Sequence, residues 1–133
     1  MTALVGVDVG GTKSAVVLGR RRAGADVEVV ERVAFATETD RGPAHALGRI
    51  RERVVSLVER ARAGGTPVSA VGVSCGGPLD SRRGVVLSPP NLPGWDGVPI
   101  VAMLHEATRL PVRLENDANA GALAEWREER TMP

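Results

Sequence analysis

The feature that most restricts the fold is a change of hydrophobic period at Pro43. Before it, apolar residues run in short blocks or alternate. After it, Ala44, Leu47, Ile50, Val54, Leu57 or Val58, and Ala61 recur at steps of three and four. Alternation is the period of a strand, and the three-four spacing that of a helix with one buried face. Pro43 near the start and Gly64-Gly65 beyond the end bound the segment, since proline suits a first helical turn and glycine the position after the last. The spacing predicts an amphipathic helix over 43–63, packed on strands that come before and after it.

Residues 2–8 form an apolar run that ends in an acid, and after a double glycine 14–18 form another, as in a hairpin of largely buried strands. A third strand follows the turn of Arg20, Arg21 and Arg22. In it Val27, Val29, Val33 and Phe35 share one parity, with Glu31 the exception. Beyond the helix, 68–75 reads as a fourth strand, 84–88 as a short fifth piece and 99–109 as a second helix opened by Pro99. Residues 111–115 read as a last strand, leading into a helix from about Ala118. Pro89, Pro90 and Pro93 keep 88–95 out of a central strand or a mid-helix, so it is an ordered loop or a linker. Three β segments followed by alternating helices and strands predict one α/β domain over residues 1–133, a mixed sheet with flanking helices.

Seventeen Lys and Arg against 16 Asp and Glu leave a net charge of +1, so there is no general field to hold a polyanion, and no nucleic-acid partner is expected. Phe35, Trp95 and Trp126 are too few aromatics for a base-stacking surface. No apolar run approaches the roughly 20 residues of a membrane span. The expected location is the cytoplasm, with no membrane partner. Cys75 is the single cysteine and His45 and His105 are far apart, so no zinc-ligand spacing exists.

Four short stretches carry chemistry. At 8–13, D-V-G-G-T-K places an acid, two glycines, a hydroxyl and a lysine on the first hairpin turn. Gly10 and Gly11 let the backbone approach a ligand, Thr12 and Lys13 add donors suited to phosphate, and Asp8 suits a magnesium ion held through water. A plain hairpin turn is the competing reading. At 76–80, G-G-P-L-D ends the fourth strand in a turn that either lines a polar pocket through Gly76 and Gly77 or simply terminates the strand. Asn91 can donate and accept at once, as sugar hydroxyls require, while Trp95 either stacks on a ligand or anchors its loop. At 115–119, E-N-D-A-N places Asp117 at a strand-to-helix corner. There it is a candidate catalytic base, or with Asn116 a helix cap.

In order and approximate spacing these stretches, with P-P-N-L-P-G-W at 89–95 and L-P-V-R-L-E-N-D-A-N-A at 110–120, resemble the ROK family of bacterial sugar kinases and related repressors. The resemblance spans nearly the whole chain. It implies the ribonuclease-H-like, actin-like ATPase fold of hexokinases, with residues 1–133 as the N-terminal lobe and with a hexose and ATP with Mg2+ as ligands and cofactors. By position, Asp117 looks like the base that deprotonates the sugar hydroxyl, and Asn91 and Asn116 like sugar ligands. Gly76 and Gly77 lie where the family's loop approaches the sugar, and Asp8, Gly10, Gly11, Thr12 and Lys13 look like the first phosphate loop.

Two departures qualify that expectation. Ser74-Cys75-Gly76 stands where Gly-Ala-Pro is commoner, which bears on sugar preference. The family's kinases are longer, and their second lobe carries the adenosine site, further sugar ligands and often a zinc site, so this chain is expected to be incompetent for turnover alone. A homodimer, or a complementary chain supplying the second lobe, is then expected to cover the helix face of Ala118, Ala122, Leu123 and Trp126. The family's repressors carry a DNA-binding segment ahead of this domain. Here the first strand begins at Thr2 or Ala3, so direct DNA binding is not expected. Phosphorylation of glucose or a related sugar and a non-catalytic sugar-binding or regulatory module are the two functional expectations. A purely structural domain is the third.

Overall fold

A computed structural model describes residues 1–116. The expected helix from Ala118 and Asp117 itself lie outside the described residues. The chain runs β1 (Thr2–Val9), β2 (Lys13–Arg21), β3 (Glu28–Ala36), a single 3-10 turn (Thr39–Arg41), α1 (Pro43–Ala63), β4 (Val68–Cys75), β5 (Leu79–Asp80), β6 (Val85–Leu87), β7 (Asp96–Val98), α2 (Ile100–Thr108) and β8 (Val112–Asn116). Five strands form one mixed sheet in the order β3-β2-β1-β4-β8. β1 pairs antiparallel with β2 and parallel with β4, and β4 pairs parallel with β8.

Strand parity decides which side of the sheet the helices cover. Ala3, Val5, Val7 and Val9 of β1, Val71, Val73 and Cys75 of β4 and Leu114 of β8 join Ile50, Val54 and Leu57 of α1 and Ile100 and Leu104 of α2 in one core. Each fully buried aliphatic side chain contributes about 1.5–3 kcal/mol relative to exposure, so the stripe on α1, more than helix propensity, holds that helix in place. The buried stripe is Ala46, Ile50, Val54, Leu57, Val58 and Ala61. Ala44 is exposed and Leu47 only half-buried, so Ala46 and not Ala44 begins the stripe. At its end Gly65 N–H donates to Arg62 O and Thr66 N–H to Ala61 O, a left-handed glycine closure.

Glu31, the break in the third strand's pattern, faces α1. Its carboxylate is ion-paired with Arg60. The arginine supplies the charge that an apolar residue would have made unnecessary at this edge. Further along the same side, the guanidiniums of Arg49 and Arg53 lie 4.8 and 4.5 Å from the ring centre of buried Phe35.

The connection from β4 to α2 contains a second sheet, β5-β6-β7, in which β6 is the short piece expected at 84–88 and β5 and β7 were not expected. Its strands have two or three residues each, too few to display a period. Asp80 Oδ1 accepts from the Arg82 and Arg83 N–H groups and builds the β5–β6 turn. The proline-rich 88–95 stretch is an ordered loop closed by Ser88 N–H donating to Trp95 O, with Leu92 and Trp95 fully buried beneath it.

Candidate active site

β1, β3, β4 and β8 all point the same way, since β3 is antiparallel to β2 and β2 to β1. Their carboxyl ends, Val9, Ala36, Cys75 and Asn116, therefore meet at one edge of the sheet. In α/β sheets this is the edge at which ligands bind, because the connecting loops are held there by strands and carry free backbone groups.

Three of the four predicted stretches converge there directly. The turn at 10–12 leaves β1, the glycines at 76–77 leave β4, and Asn116 closes β8. A methyl group on Gly77 would lie 4.0 Å from Asn116 Cβ, so these two stretches touch. The fourth, carrying Asn91, is brought in by contact. A methyl group on Gly11 would stand 2.6 Å from the Asn91 carbonyl oxygen and 3.0 Å from its Cβ. Gly94 in the same loop faces Pro43, with only 3.5 Å between its would-be methyl group and the ring.

Within this cluster the residues divide by strand parity. Asp8 is in register with Ser74, and Ser74 with Glu115, on the side of the sheet away from the helices. Glu115 is held there by Arg113 at 3.0 Å. Val9, Cys75 and Asn116 form the next row, on the helix-bearing side. Asp8, Thr12, Lys13, Gly77 and Asn91 are exposed, while Gly10, Gly11, Gly76 and Asn116 are half-buried. Asp117 follows Asn116 but is outside the described residues, as is the face of Ala118, Ala122, Leu123 and Trp126. Arg20, Arg21 and Arg22 line an open cavity of about 380 Å3 at the other end of the sheet, remote from the cluster.

The turn after β1 is braced by residues that the sequence reading did not single out. Thr37, just past β3, is fully buried; its hydroxyl donates to Gly10 O at 2.7 Å and lies 2.7 Å from the Ser14 hydroxyl, also buried. Its N–H donates to Thr12 O at 2.9 Å. A signal existed: Ser14 has the core parity of β2 and Thr37 continues that of β3, where an apolar residue is expected.

Next to Thr37, Glu38 has a left-handed backbone (φ 55°) and receives Arg49 Nη1 at 2.7 Å and His45 Nε2 at 3.3 Å. The hydrogen bond with His45 is the main cause holding its carboxyl below the ordinary carboxylate range, with the nearby charges of Arg41 and Arg49 adding to it. Arg49 also donates to Ala36 O at 3.1 Å, so α1 is fastened to the end of β3.

Comparison with known proteins gives this arrangement a family. The ROK family model matches residues 4–131. The chain belongs to the ROK family. It is 34% identical over 122 residues to a glucokinase of Thermotoga maritima, covering 92% of this chain and 36% of that protein. Over 87 residues it is 34% identical to a xylose repressor of Caldicellulosiruptor bescii, covering 59% of this chain and 22% of the repressor. The ROK hexokinase from Thermus thermophilus superposes with a TM-score of 0.67 at 39% identity, covering 93% of this chain and 38% of that one. The fold is that of the N-terminal lobe of ROK sugar kinases, actin-like and ribonuclease-H-like. The chain spans about a third of the length of the curated relatives it matches. Among the described residues no helix is long and apolar enough to cross a membrane.

Proposed function

We propose that this chain is the sugar- and phosphate-binding lobe of a ROK-type hexose kinase that phosphorylates glucose or a related sugar with ATP. The observation that carries the reading is the contact of Gly11 with Asn91, which sets the phosphate turn against the sugar loop at the carboxyl edge of the sheet. Transfer between two ligands requires their binding loops to be neighbours.

The residues present fit a magnesium nucleotide. Gly10 and Gly11 carry no side chains on the turn, and Thr12 and Lys13 stand exposed beside them. Among the described residues no three His, Cys, Asp or Glu side chains cluster as a metal cage. A single acid, Asp8, suits magnesium, which keeps most of its waters and takes one or two carboxylates. When bound there, magnesium-ATP supplies the phosphoryl group and neutralises its charge. Asn91 and Asn116 hold and orient the sugar hydroxyls. Asp117, adjoining Asn116 in the chain, accepts the hydroxyl proton. Phosphoryl transfer depends more on positioning than on base strength, so an ordinary aspartate suffices.

The chain spans about a third of the length of its curated relatives, and in two-lobed transferases closure around the reacting groups is what excludes water. On this reading residues 1–133 are the ligand-binding lobe of such a kinase. The similarity to a xylose repressor supports a second reading, a sugar-sensing module without catalysis. Incubation with glucose and magnesium-ATP tests both: we expect glucose to raise the melting temperature under either reading. Turnover that disappears in Asp117→Asn favours the kinase, and sugar binding without turnover the sensing module. A chain stabilised by none of several hexoses would sink both readings.

A further inference from the structure

The hydrogen bonds around Thr37 have one possible direction. A carbonyl only accepts, so the single proton of the Thr37 hydroxyl goes to Gly10 O, 2.7 Å away. The Ser14 hydroxyl, 2.7 Å from Thr37 Oγ1, must then be the donor to it. The result is a one-way relay from Ser14 to Thr37 to Gly10, with both side chains buried. Buried relays of this kind strengthen each link by polarisation, and a missing link leaves a buried polar group unpaired.

The relay has a consequence on the opposite side of the peptide. In a planar trans peptide the C=O and N–H point in opposite directions. Drawing the Gly10 carbonyl toward Thr37 therefore turns the Gly11 N–H away from Thr37. The Thr37 N–H fixes the next carbonyl but one, on Thr12, at 2.9 Å. One buried residue thus holds the turn through both its backbone and its side chain. It follows β3 directly, and α1 fastens that strand end through Arg49 on Ala36 O and Glu38.

We propose that Thr37 is the positioning residue of the phosphate turn: through the Ser14 relay it presets the Gly10–Gly11 peptide so that the Gly11 N–H meets a phosphate oxygen of the nucleotide. The proposal rests on the phosphate-binding reading of residues 8–13. Thr37 acts through the backbone of the turn, its hydroxyl on Gly10 O and its N–H on Thr12 O. Valine has nearly its shape without the hydroxyl, and serine keeps the hydroxyl without the methyl group, so the two variants separate hydrogen bonding from packing.

The test is made on the whole chain with magnesium tripolyphosphate as the probe. Backbone 15N order parameters of residues 10–13 are measured without ligand, and tripolyphosphate affinity by amide-shift titration. In the unaltered chain and in Thr37→Ser the turn should be ordered, at about 0.85; in Thr37→Val it should fall toward the loop range below about 0.6. Affinity should drop at least tenfold in Thr37→Val and return to within about threefold of the unaltered chain in Thr37→Ser. A turn that stays ordered in Thr37→Val, or one that loosens with affinity unchanged, overturns the proposal. If the unaltered chain orders its turn but binds no tripolyphosphate, the phosphate reading itself falls and the ligand role of Thr37 with it. Should Thr37→Val fail to fold, Ser14→Ala breaks the same relay one link earlier and must loosen the turn, or the proposal is lost.

Discussion

Gly11 and Asn91 are in direct contact across the carboxyl edge of the sheet, so close that a methyl group on Gly11 would stand 2.6 Å from the Asn91 carbonyl oxygen. The neighbouring atoms are backbone and a Cβ, not the flexible end of a side chain. Gly11→Ala must push the 88–95 loop away from the phosphate turn. We expect a stability loss of about 1–3 kcal/mol, the usual cost of forcing an extra carbon into a packed contact. Glucose affinity should fall at least tenfold, measured by calorimetry. An unchanged affinity would show that the contact does not set the sugar loop.

Asn91 and Trp95 share that loop but should separate cleanly under mutation. Trp95 and Leu92 are fully buried, whereas Asn91 is exposed. Trp95→Ala empties a large core site and should cost about 3–5 kcal/mol in chemical denaturation. Asn91→Ala removes no buried group, so stability should stay within about 0.5 kcal/mol while sugar binding is lost. If Asn91→Ala retains glucose affinity, its assignment as a sugar ligand is wrong.

These residues also mark how far the sequence was legible. Length and period identified the long elements: the stripe on α1 and the apolar runs of β1 and β4 repeat often enough to state their own geometry. Glu31 broke its strand's pattern because its partner, Arg60, is 29 residues away on a helix, and pairing of that kind has no local signature. Of the second sheet only β6 was legible, as the short piece at 84–88; β5 and β7 escaped because they are two or three residues long. The motifs were legible as separate stretches, yet that Gly77 meets Asn116 follows only from parallel pairing of β1, β4 and β8, and that Gly11 meets Asn91 only from the packing of the 88–95 loop on the sheet edge. Ser14 and Thr37 were visible only as hydroxyls at core parity, which does not distinguish a brace from a tolerated polar residue.

Gly84 presents a sharper steric case. It lies in the turn between β5 and β6 with φ of +70°, and a methyl group there would come within 2.4 Å of Val101 Cβ on α2. Its carbonyl accepts from the Val101 N–H at 3.3 Å, so turn and helix are joined at one point. Gly84→Ala meets two penalties, about 1–2 kcal/mol for a left-handed backbone and about 1–3 kcal/mol for overpacking. We expect a combined loss of roughly 2–5 kcal/mol by denaturant titration. A loss under 1 kcal/mol would mean that α2 shifts freely, contrary to its burial of Ile100 and Leu104 in the core.

The acid limb of the stability profile should report Glu38. Its folded-state carboxyl is held below the ordinary range, first by the hydrogen bond with His45 and then by the charges of Arg41 and Arg49. A lowered folded pKa means that the folded state favours the ionised form more than the unfolded chain does. The stabilisation is therefore complete above the unfolded carboxylate value, about 4.3, and is lost as pH falls through the lower folded value. Melting temperature measured downward from pH 6 should thus hold until near that value and then drop. Glu38→Gln, which cannot ionise, should flatten this part of the drop, leaving that due to other carboxylates. Because Arg49 also holds Ala36 O, the variant should keep α1 docked and differ from the unaltered chain chiefly in slope. Identical acid limbs for the two chains would remove Glu38 from the account of how the strand end beside Thr37 is fastened.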